Sequence, residues 1–150
     1  MKNKAKNILI TGAAGFIASN FLNYWVKKYP EDKIIALDIL SYASNINSIK
    51  SLINKQSIHF YQGNICDHDL LDEIFENFEI NYVINFAAET HVDRSISSPN
   101  IFLNTNVLGT YFLLESFKKH WKKNNKPYNW RFLHISTDEV FGSLNLEEKP

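Results

Sequence analysis

The sequence predicts an α/β protein with a doubly wound, Rossmann-like parallel sheet. Apolar strand patterns alternate with helical patterns along the chain, and the strands are almost continuously apolar, as expected of strands covered on both faces. A glycine pair also follows the first predicted strand, in the turn before the first helix. Because crossovers between parallel strands are right-handed, we expect the strand order 3-2-1-4-5, with further strands beyond the chain end.

Five short runs rich in apolar and β-branched residues predict the strands. They span residues 7–11, 33–38, 58–62, 82–87 and 131–136. Each is bounded by turn-forming residues or by a helical pattern. We find no internal repeat, low-complexity tract or interdomain linker, so the runs belong to one domain.

Apolar residues at helical spacing predict four helices between these strands. The first three span residues 15–28, 45–53 and 67–77; Pro30 follows the first and Asp67 caps the third. The fourth begins at the Ser98-Pro99 pair and runs to residue 122. Its apolar side chains cover more than one face, whereas packing on a sheet needs a single stripe.

Composition excludes several classes of function. The 150 residues carry 16 basic and 16 acidic side chains, so no global field favours nucleic acid or an anionic membrane. The single cysteine, Cys66, allows no internal disulfide, and the five histidines show no metal-ligand spacing; His134, inside a strand, is interpreted as a core residue. No apolar run approaches the ~20 residues that cross a membrane. We expect a cytoplasmic protein without a metal.

The turn after the first strand predicts a phosphate-binding site. Gly12 permits a tight turn, and Gly15 lets the backbone approach a pyrophosphate at the start of the next helix. Asp38 ends the second strand, where a carboxylate accepts hydrogen bonds from adenosine ribose hydroxyls and repels a 2′-phosphate. This pattern predicts NAD rather than NADP, although a plain strand-to-helix turn would also use two glycines.

Three further stretches carry a specific resemblance. The turn T-G-A-A-G-F-I-A at 11–18 resembles that of the extended short-chain dehydrogenases/reductases, with Ala18 in place of their usual last glycine. The stretches D-I-L-S-Y-A-S-N at 38–45, A-A-E-T-H-V-D-R-S at 87–95 and H-I-S-T-D-E-V-F-G at 134–142 resemble the dTDP-glucose 4,6-dehydratases of that family almost residue for residue. The similarity covers essentially the whole chain.

The resemblance implies a set of NAD contacts at the carboxyl ends of the strands. The family commonly has Asp where this chain has Asn64. The implied cofactor residues are Gly12, Gly15, Phe16 and Ile17 at the pyrophosphate, Asp38, Ile39, Leu40 and Ser41 at the adenosine ribose, Asn64 and Ile65 at the adenine, and Phe86, Ala87, Ala88, Glu89, Thr90 and Thr105 towards the nicotinamide.

The resemblance also implies the chemistry. The family oxidises dTDP-glucose at C4 with bound NAD, eliminates water across C5 and C6, and returns the hydride to C6. It assigns Asp138 as the acid, Glu139 as the base, and Thr137 as a ligand of the C4 oxygen; Thr90 is a second substrate contact. Because the two carboxyl groups need different protonation states, we expect burial beside Glu139 to keep Asp138 protonated. A helix N-cap at Asp138 is the alternative.

Part of the family's machinery is missing from the sequence. Its Tyr-x-x-x-Lys pair, which deprotonates the C4 hydroxyl, is placed beyond strand five, and the chain ends at Pro150 without one. We therefore expect 1–150 to be a truncated NAD-binding Rossmann domain that lacks the sugar-nucleotide domain. Such a chain would bind NAD weakly or not at all and would not turn over.

The resemblance leaves partners and alternatives to be tested. Family members dimerise by pairing long helices, so a homodimer through 99–122 is expected, and the product belongs to rhamnose-type deoxysugar and cell-surface polysaccharide synthesis. The alternatives are a GDP-mannose 4,6-dehydratase, a UDP-sugar epimerase, or a non-catalytic remnant that dimerises or binds nucleotide.

Overall fold

The computed structural model describes residues 5–125 and 127–142, and its strands form one five-stranded sheet in the order β3-β2-β1-β4-β5. All four neighbouring pairs are parallel. The predicted fold class and strand order are therefore confirmed. The strands are β1 (Asn7–Thr11), β2 (Lys33–Asp38), β3 (His59–Gln62), β4 (Tyr82–Asn85) and β5 (Arg131–His134).

Helices connect the strands and cover both faces of the sheet. Asp67 caps α3 as predicted, because its carboxylate accepts a hydrogen bond from the Leu70 N–H at 3.1 Å. No helix within 5–125 and 127–142 is long and apolar enough to cross a bilayer. The helices are α1 (Phe16–Lys28), α2 (Lys50–Asn54), α3 (His68–Phe78), α4 (Val92–Ser97), α5 (Pro99–Phe102) and α6 (Thr110–Lys123), with 3₁₀ turns at Ile46–Ser48 and Asp138–Phe141.

The long fourth helix differs from its prediction. A π-helical segment, Leu103–Gly109, separates α5 from α6, and the short helix α4 precedes them. The pattern did not predict α4 because none of its six residues is buried, so it carries no apolar stripe. The widened π turn uses the same residue types as an α-helix, and residue spacing does not distinguish the two.

Two hydrophobic clusters lie on opposite faces of the sheet. Ile8 and Ile10 pack with Leu22 of α1 on one face, whereas Leu9 packs with Phe75 of α3 and Leu113 of α6 on the other. Successive strand residues point to opposite faces, so strands covered on both sides are apolar at nearly every position. This explains the continuous apolar runs.

Strand β5 forms the outer edge of the described sheet and is poorly covered. Leu133 is 52% exposed, and His134 is also exposed. The interpretation of His134 as a core residue was therefore wrong, because that prediction assumed a strand covered on both faces. Its Nδ1 nevertheless lies 3.1 Å from the Asn85 amide nitrogen of β4.

Candidate cofactor-binding site

A crevice of about 540 Å³ lies at the carboxyl ends of β1, β2 and β4. Its volume falls within the ~300–1,000 Å³ typical of small-molecule sites. The strand order reverses at this edge, between β1 and β4, which is where ligands bind in open parallel sheets. The predicted cofactor residues that line it are Gly12, Gly15, Asp38, Ile39, Ser41, Asn64, Ile65, Phe86, Ala87, Ala88, Glu89 and Thr105.

The first wall of the crevice is the turn between β1 and α1. Gly12 has φ of +65°, and a Cβ built there would lie 2.7 Å from the Ala87 backbone nitrogen. Gly15 donates its N–H to the Gly12 carbonyl at 3.0 Å. No side chain caps α1, so its first N–H groups remain available to an anion.

Asp38 joins the loop after β2 to this turn. Its buried carboxylate accepts hydrogen bonds from the Ala14 N–H at 2.8 Å, the Leu40 N–H at 2.7 Å and the Ser44 hydroxyl at 2.7 Å. A carboxylate has about four acceptor positions. Asp38 therefore has a structural role in the loop and still has capacity for one ribose hydroxyl.

Asn64 and Ile65 follow β3 at the adenine end that the resemblance assigned. The Asn64 side-chain oxygen accepts from the Cys66 N–H at 2.9 Å, which leaves the amide NH₂ and one lone pair of that oxygen for a ligand. The Cys66 thiol contacts the Asn104 carbonyl at 3.3 Å, and burial raises the pKa of that thiol. Asn at this position thus adds a donor that an ionised Asp would lack.

The loop after β4 is held by a residue that the sequence analysis missed. The Asn106 amide accepts from the Glu89 N–H at 2.8 Å and donates to the Glu89 carbonyl at 2.9 Å. This two-point contact fixes the loop that carries Phe86–Glu89 against the π-helical segment. Thr105, its neighbour in that segment, lines the crevice as expected. No spacing rule in the sequence pointed to Asn106.

Four predicted cofactor residues lie outside the crevice lining. Phe16 and Ile17, in the first turn of α1, are 84% and 63% exposed. Leu40, with φ of +59°, packs against the core on the α1 side of the sheet. Thr90 is exposed in the loop before α4. Their contacts with a cofactor stay predictions.

Thr137, Asp138 and Glu139 form the turn that follows β5. The Thr137 hydroxyl accepts from the Glu139 N–H at 3.3 Å and lies 3.2 Å from an Asp138 carboxylate oxygen. Thr137, rather than Asp138, is therefore the cap. The three are exposed and do not line the crevice. The expected burial of Asp138 was wrong, because β5 is an edge strand whose end is open in the described structure.

Several crevice residues were not predicted, although some lie in the quoted motifs. Tyr42 donates its hydroxyl to a Glu89 carboxylate oxygen at 3.3 Å, and the Arg94 guanidinium lies over its ring, 3.7 Å from the centroid. Within the described ranges, no group of three metal-ligating side chains is placed to hold a metal ion. The other unpredicted lining residues are Leu37, Ala43, Ser44, Gly63, Ile101 and Asn104.

Comparison with known proteins identifies the family. The sequence profile of the GDP-mannose 4,6 dehydratase family matches residues 9–150. The chain belongs to this family. Its fold is therefore that of the family.

Curated relatives of this dehydratase family carry the name dTDP-glucose 4,6-dehydratase. The chain is 45% identical to the protein of Dictyostelium discoideum over 143 residues, which are 95% of this chain and 31% of the relative. It is 43% identical to the protein of Salmonella typhimurium, over 91% of this chain and 38% of the relative. The chain therefore spans well under half the length of these relatives.

Solved structures of dTDP-glucose 4,6-dehydratases are also similar to this chain. A dTDP-glucose 4,6-dehydratase from Bacillus anthracis, in complex with NAD, superposes with a TM-score of 0.81 at 37% identity, over 97% of this chain and 42% of the other. The enzyme from Streptomyces venezuelae, with NAD and dTDP bound, gives a TM-score of 0.81 at 36% identity, over 93% of this chain and 42% of the other. A UDP-glucose 4-epimerase from Thermotoga maritima superposes with a TM-score of 0.68 at 30% identity, over 76% of this chain and 34% of the other.

Proposed function

We propose that this chain is the NAD-binding part of a dTDP-glucose 4,6-dehydratase. The observation that carries the proposal is the crevice in which the Gly12 turn, Asp38 and the loop after β4 converge. Relatives that are 40–45% identical to this chain are named dTDP-glucose 4,6-dehydratase. They support this substrate over GDP-mannose or a UDP-sugar, and support an enzyme over a non-catalytic remnant.

The residues present fit NAD. The bare Cα of Gly12 leaves a cradle beside Ala87 that a Cβ would fill, so a phosphate can approach the backbone closely. Asp38 is 4% exposed and keeps acceptor capacity for a ribose hydroxyl. A 2′-phosphate at the same place would face this carboxylate, so like-charge repulsion would weaken the binding of NADP relative to NAD.

The turn after β5 would act on the sugar. Bound NAD would supply the hydride acceptor at C4 and the hydride donor at C6, and the C4 hydroxyl proton would go to the Tyr-x-x-x-Lys pair that the family resemblance implies beyond strand five. Thr137 would hold the C4 oxygen, Glu139 would take the C5 proton, and Asp138 would protonate the departing C6 hydroxyl. Asp138 and Glu139 are adjacent on one 3₁₀ turn after β5, and the family resemblance of residues 134–142 supports these roles.

The remaining length of the relatives leaves room for other parts of the enzyme. We assign 1–150 to a NAD-binding Rossmann domain and the nucleotide half of dTDP-glucose to chain beyond it. The product would be dTDP-4-keto-6-deoxyglucose, a precursor of rhamnose-type sugars for cell-surface polysaccharides. We propose the cytoplasm as the location of this synthesis, and the single cysteine of the chain supports it.

A second copy of the chain is the proposed protein partner. Along the π-helical segment and α6, five large apolar side chains are between 43% and 57% exposed. Pairing these helices in a homodimer would remove that surface from water. The exposed side chains are Leu103, Val107, Leu108, Tyr111 and Leu114.

Nucleotide titration followed by NMR amide shifts tests the cofactor proposal, because the method detects millimolar binding. We expect NAD to shift the amides of Gly12, Asp38 and Ala87, and NADP to bind about tenfold more weakly or worse. Absence of shifts at millimolar NAD, or equal binding of NADP, would contradict the proposal.

An assay for the 4-keto product tests whether residues 1–150 are sufficient for catalysis. With dTDP-glucose and NAD supplied, we expect the 150-residue chain to form no product. Turnover by this chain alone would contradict the assignment of catalysis to a larger set of residues.

A further inference from the structure

We propose that Arg94 binds the diphosphate group of a nucleotide at the mouth of the crevice, held in position by its stack on Tyr42. The inference rests on the proposed function, since it assumes that the crevice takes a nucleotide. It adds a binding residue to that site from α4, an element that the sequence analysis did not predict.

The geometry holds the Arg94 guanidinium in one place. Its central carbon lies 3.7 Å from the centroid of the Tyr42 ring. Tyr42 is itself fixed at its other end, where its hydroxyl donates to Glu89 at 3.3 Å. All three side chains line the crevice. A guanidinium that stacks through its face keeps the N–H donors in its plane for a planar or tetrahedral anion.

Arg94 has no acidic partner within the described ranges. The four ion pairs there join Lys6 to Asp32, Lys118 to Glu115, Lys119 to Asp72 and Lys123 to Glu76. The guanidinium is therefore ordered by an aromatic ring and carries a charge that no carboxylate neutralises.

The other charged groups of the crevice make the positive charge of Arg94 favourable for binding an anion. Among the described lining residues, Arg94 is the single Lys or Arg, and it stands against two carboxylates, Asp38 and Glu89. A nucleotide diphosphate brings further negative charge into the same space. Backbone N–H groups at the Gly12 turn provide only partial positive charges. A full positive charge on the wall offsets repulsion between the diphosphate and the two carboxylates.

The ligand chemistry is a diphosphate bridge between two sugars. Guanidinium groups bind phosphate oxygens through paired N–H donors, which gives orientation as well as affinity. Two sources carry such a bridge: a dinucleotide such as NAD, and a nucleotide sugar such as dTDP-glucose. The test therefore uses NAD and dTDP as separate arms, with adenosine as the ligand that lacks phosphate.

We propose to titrate the chain and its Arg94→Ala and Arg94→Lys variants with NAD, dTDP and adenosine, by NMR amide shifts. Arg94→Ala should weaken NAD or dTDP about tenfold, while adenosine affinity stays unchanged. Arg94→Lys, which keeps the charge but not the planar fork, should recover part of the loss. The slope of log Kd against log salt concentration should become shallower in Arg94→Ala, because one cation is removed from the contact.

The arm that weakens identifies the source of the diphosphate. Tyr42→Phe is the matched control: it keeps the stack, removes the bond to Glu89, and should change NAD and dTDP affinity less than Arg94→Ala does. The proposal is overturned if Arg94→Ala leaves both diphosphate ligands unaffected, or if it weakens adenosine equally. If the unaltered chain binds none of the three ligands, the proposed function itself fails, and the role of Arg94 fails with it.

Discussion

Gly12 adopts φ of +65°, and a Cβ at this position would lie 2.7 Å from the Ala87 nitrogen and 2.9 Å from its Cα. Both atoms belong to the backbone of a neighbouring loop, so they cannot move aside as a flexible side chain would. The conformation and the space thus independently require glycine. At the scale of one residue, Gly12 lines the crevice at a position that only glycine fits.

Gly12→Ala should destabilise the fold by roughly 2–4 kcal/mol, because left-handed strain and steric overlap add. Urea unfolding measures the loss. Gly15→Ala is the matched control, since its φ is −70° and the nearest atom to its Cβ is the Gly12 oxygen at 3.1 Å; it should cost about 1 kcal/mol or less. Equal losses of stability in the two variants would contradict a specific requirement for glycine at position 12.

Asp38→Asn should lower the free energy of unfolding by about 1–3 kcal/mol. Three donors converge on the carboxylate, and an amide would place its own NH₂ against one of them. The same variant should weaken NAD relative to the unaltered chain. Ser44→Ala removes one donor and leaves the carboxylate, so it should cost only about 0.5–1.5 kcal/mol. An Asp38→Asn variant of unchanged stability would contradict the structural role of this carboxylate.

At the scale of the element, the π-helical segment Leu103–Gly109 places Asn106 against the loop after β4. The amide pairs with both backbone groups of Glu89, much as a neighbouring strand would. An irregular helical turn is thus coupled to the wall of the crevice. The two hydrogen bonds join this partly exposed loop to the helical segment.

Asn106→Ala should lower stability by about 1–3 kcal/mol, because it leaves the partly buried Glu89 N–H and carbonyl without partners. Hydrogen exchange offers a local measurement: the Glu89 amide should lose protection while the amides of β1 keep theirs. Asn20→Ala is the control, since the Asn20 amide is exposed and bonds only the Phe16 carbonyl of its own helix. Unchanged protection at Glu89 would contradict the coupling.

The packing of α6 against α3 contains one buried imidazole. His120 lies between the rings of Phe75 and Trp130, and its Nε2 has no hydrogen-bond partner in the described structure. Burial, followed by the charge of Lys123, lowers the pKa of His120 from its ordinary value of 6.5, although Glu79 and Glu76 act in the opposite direction. The folded protein therefore favours the neutral imidazole.

Stability should fall as the pH drops from about 7.5 to 5.5. Below pH 6.5 the unfolded chain binds a proton on His120 that the folded chain does not, so acid favours unfolding until the lowered pKa is passed. His120→Phe keeps an aromatic ring and should flatten this dependence in urea unfolding. The control variant His91→Gln, which replaces an exposed histidine, should leave the pH dependence unchanged. A pH profile unaffected by His120→Phe would contradict the assignment.

At the scale of the whole molecule, the exposed apolar side chains between Leu103 and Leu114 predict self-association. Sedimentation velocity at micromolar concentration should show a dimer. Leu108→Glu should shift it to monomer, because a carboxylate would be buried in an apolar interface. Asn20→Glu, on the exposed face of α1, should leave the dimer intact. A monomeric unaltered chain would contradict the homodimer.

Part of the site was predictable because its signals are local. The Gly12–Gly15 spacing and Asp38 at a strand end follow from the strand positions, and the strands follow from apolar runs. The residues after β3 and β4 were assigned by the family resemblance. The helix ends at Lys28 and Phe78 agree with the patterns to within a residue. The contacts of Asn106 and Arg94 were not predictable, since each depends on a partner far away in sequence.

The sequence by itself determined the order of elements, the parallel sheet, the glycine turn and the acidic strand end, because these depend on periodicity and on residues close together in the chain. Only the tertiary structure decided which side chains meet: Tyr42 with Arg94, Asn106 with Glu89, and Asp38 with the Ala14 amide. It also decided the exposure of Asp138. Exposure and contact depend on neighbours brought together by the fold, and residue spacing along the chain does not record them.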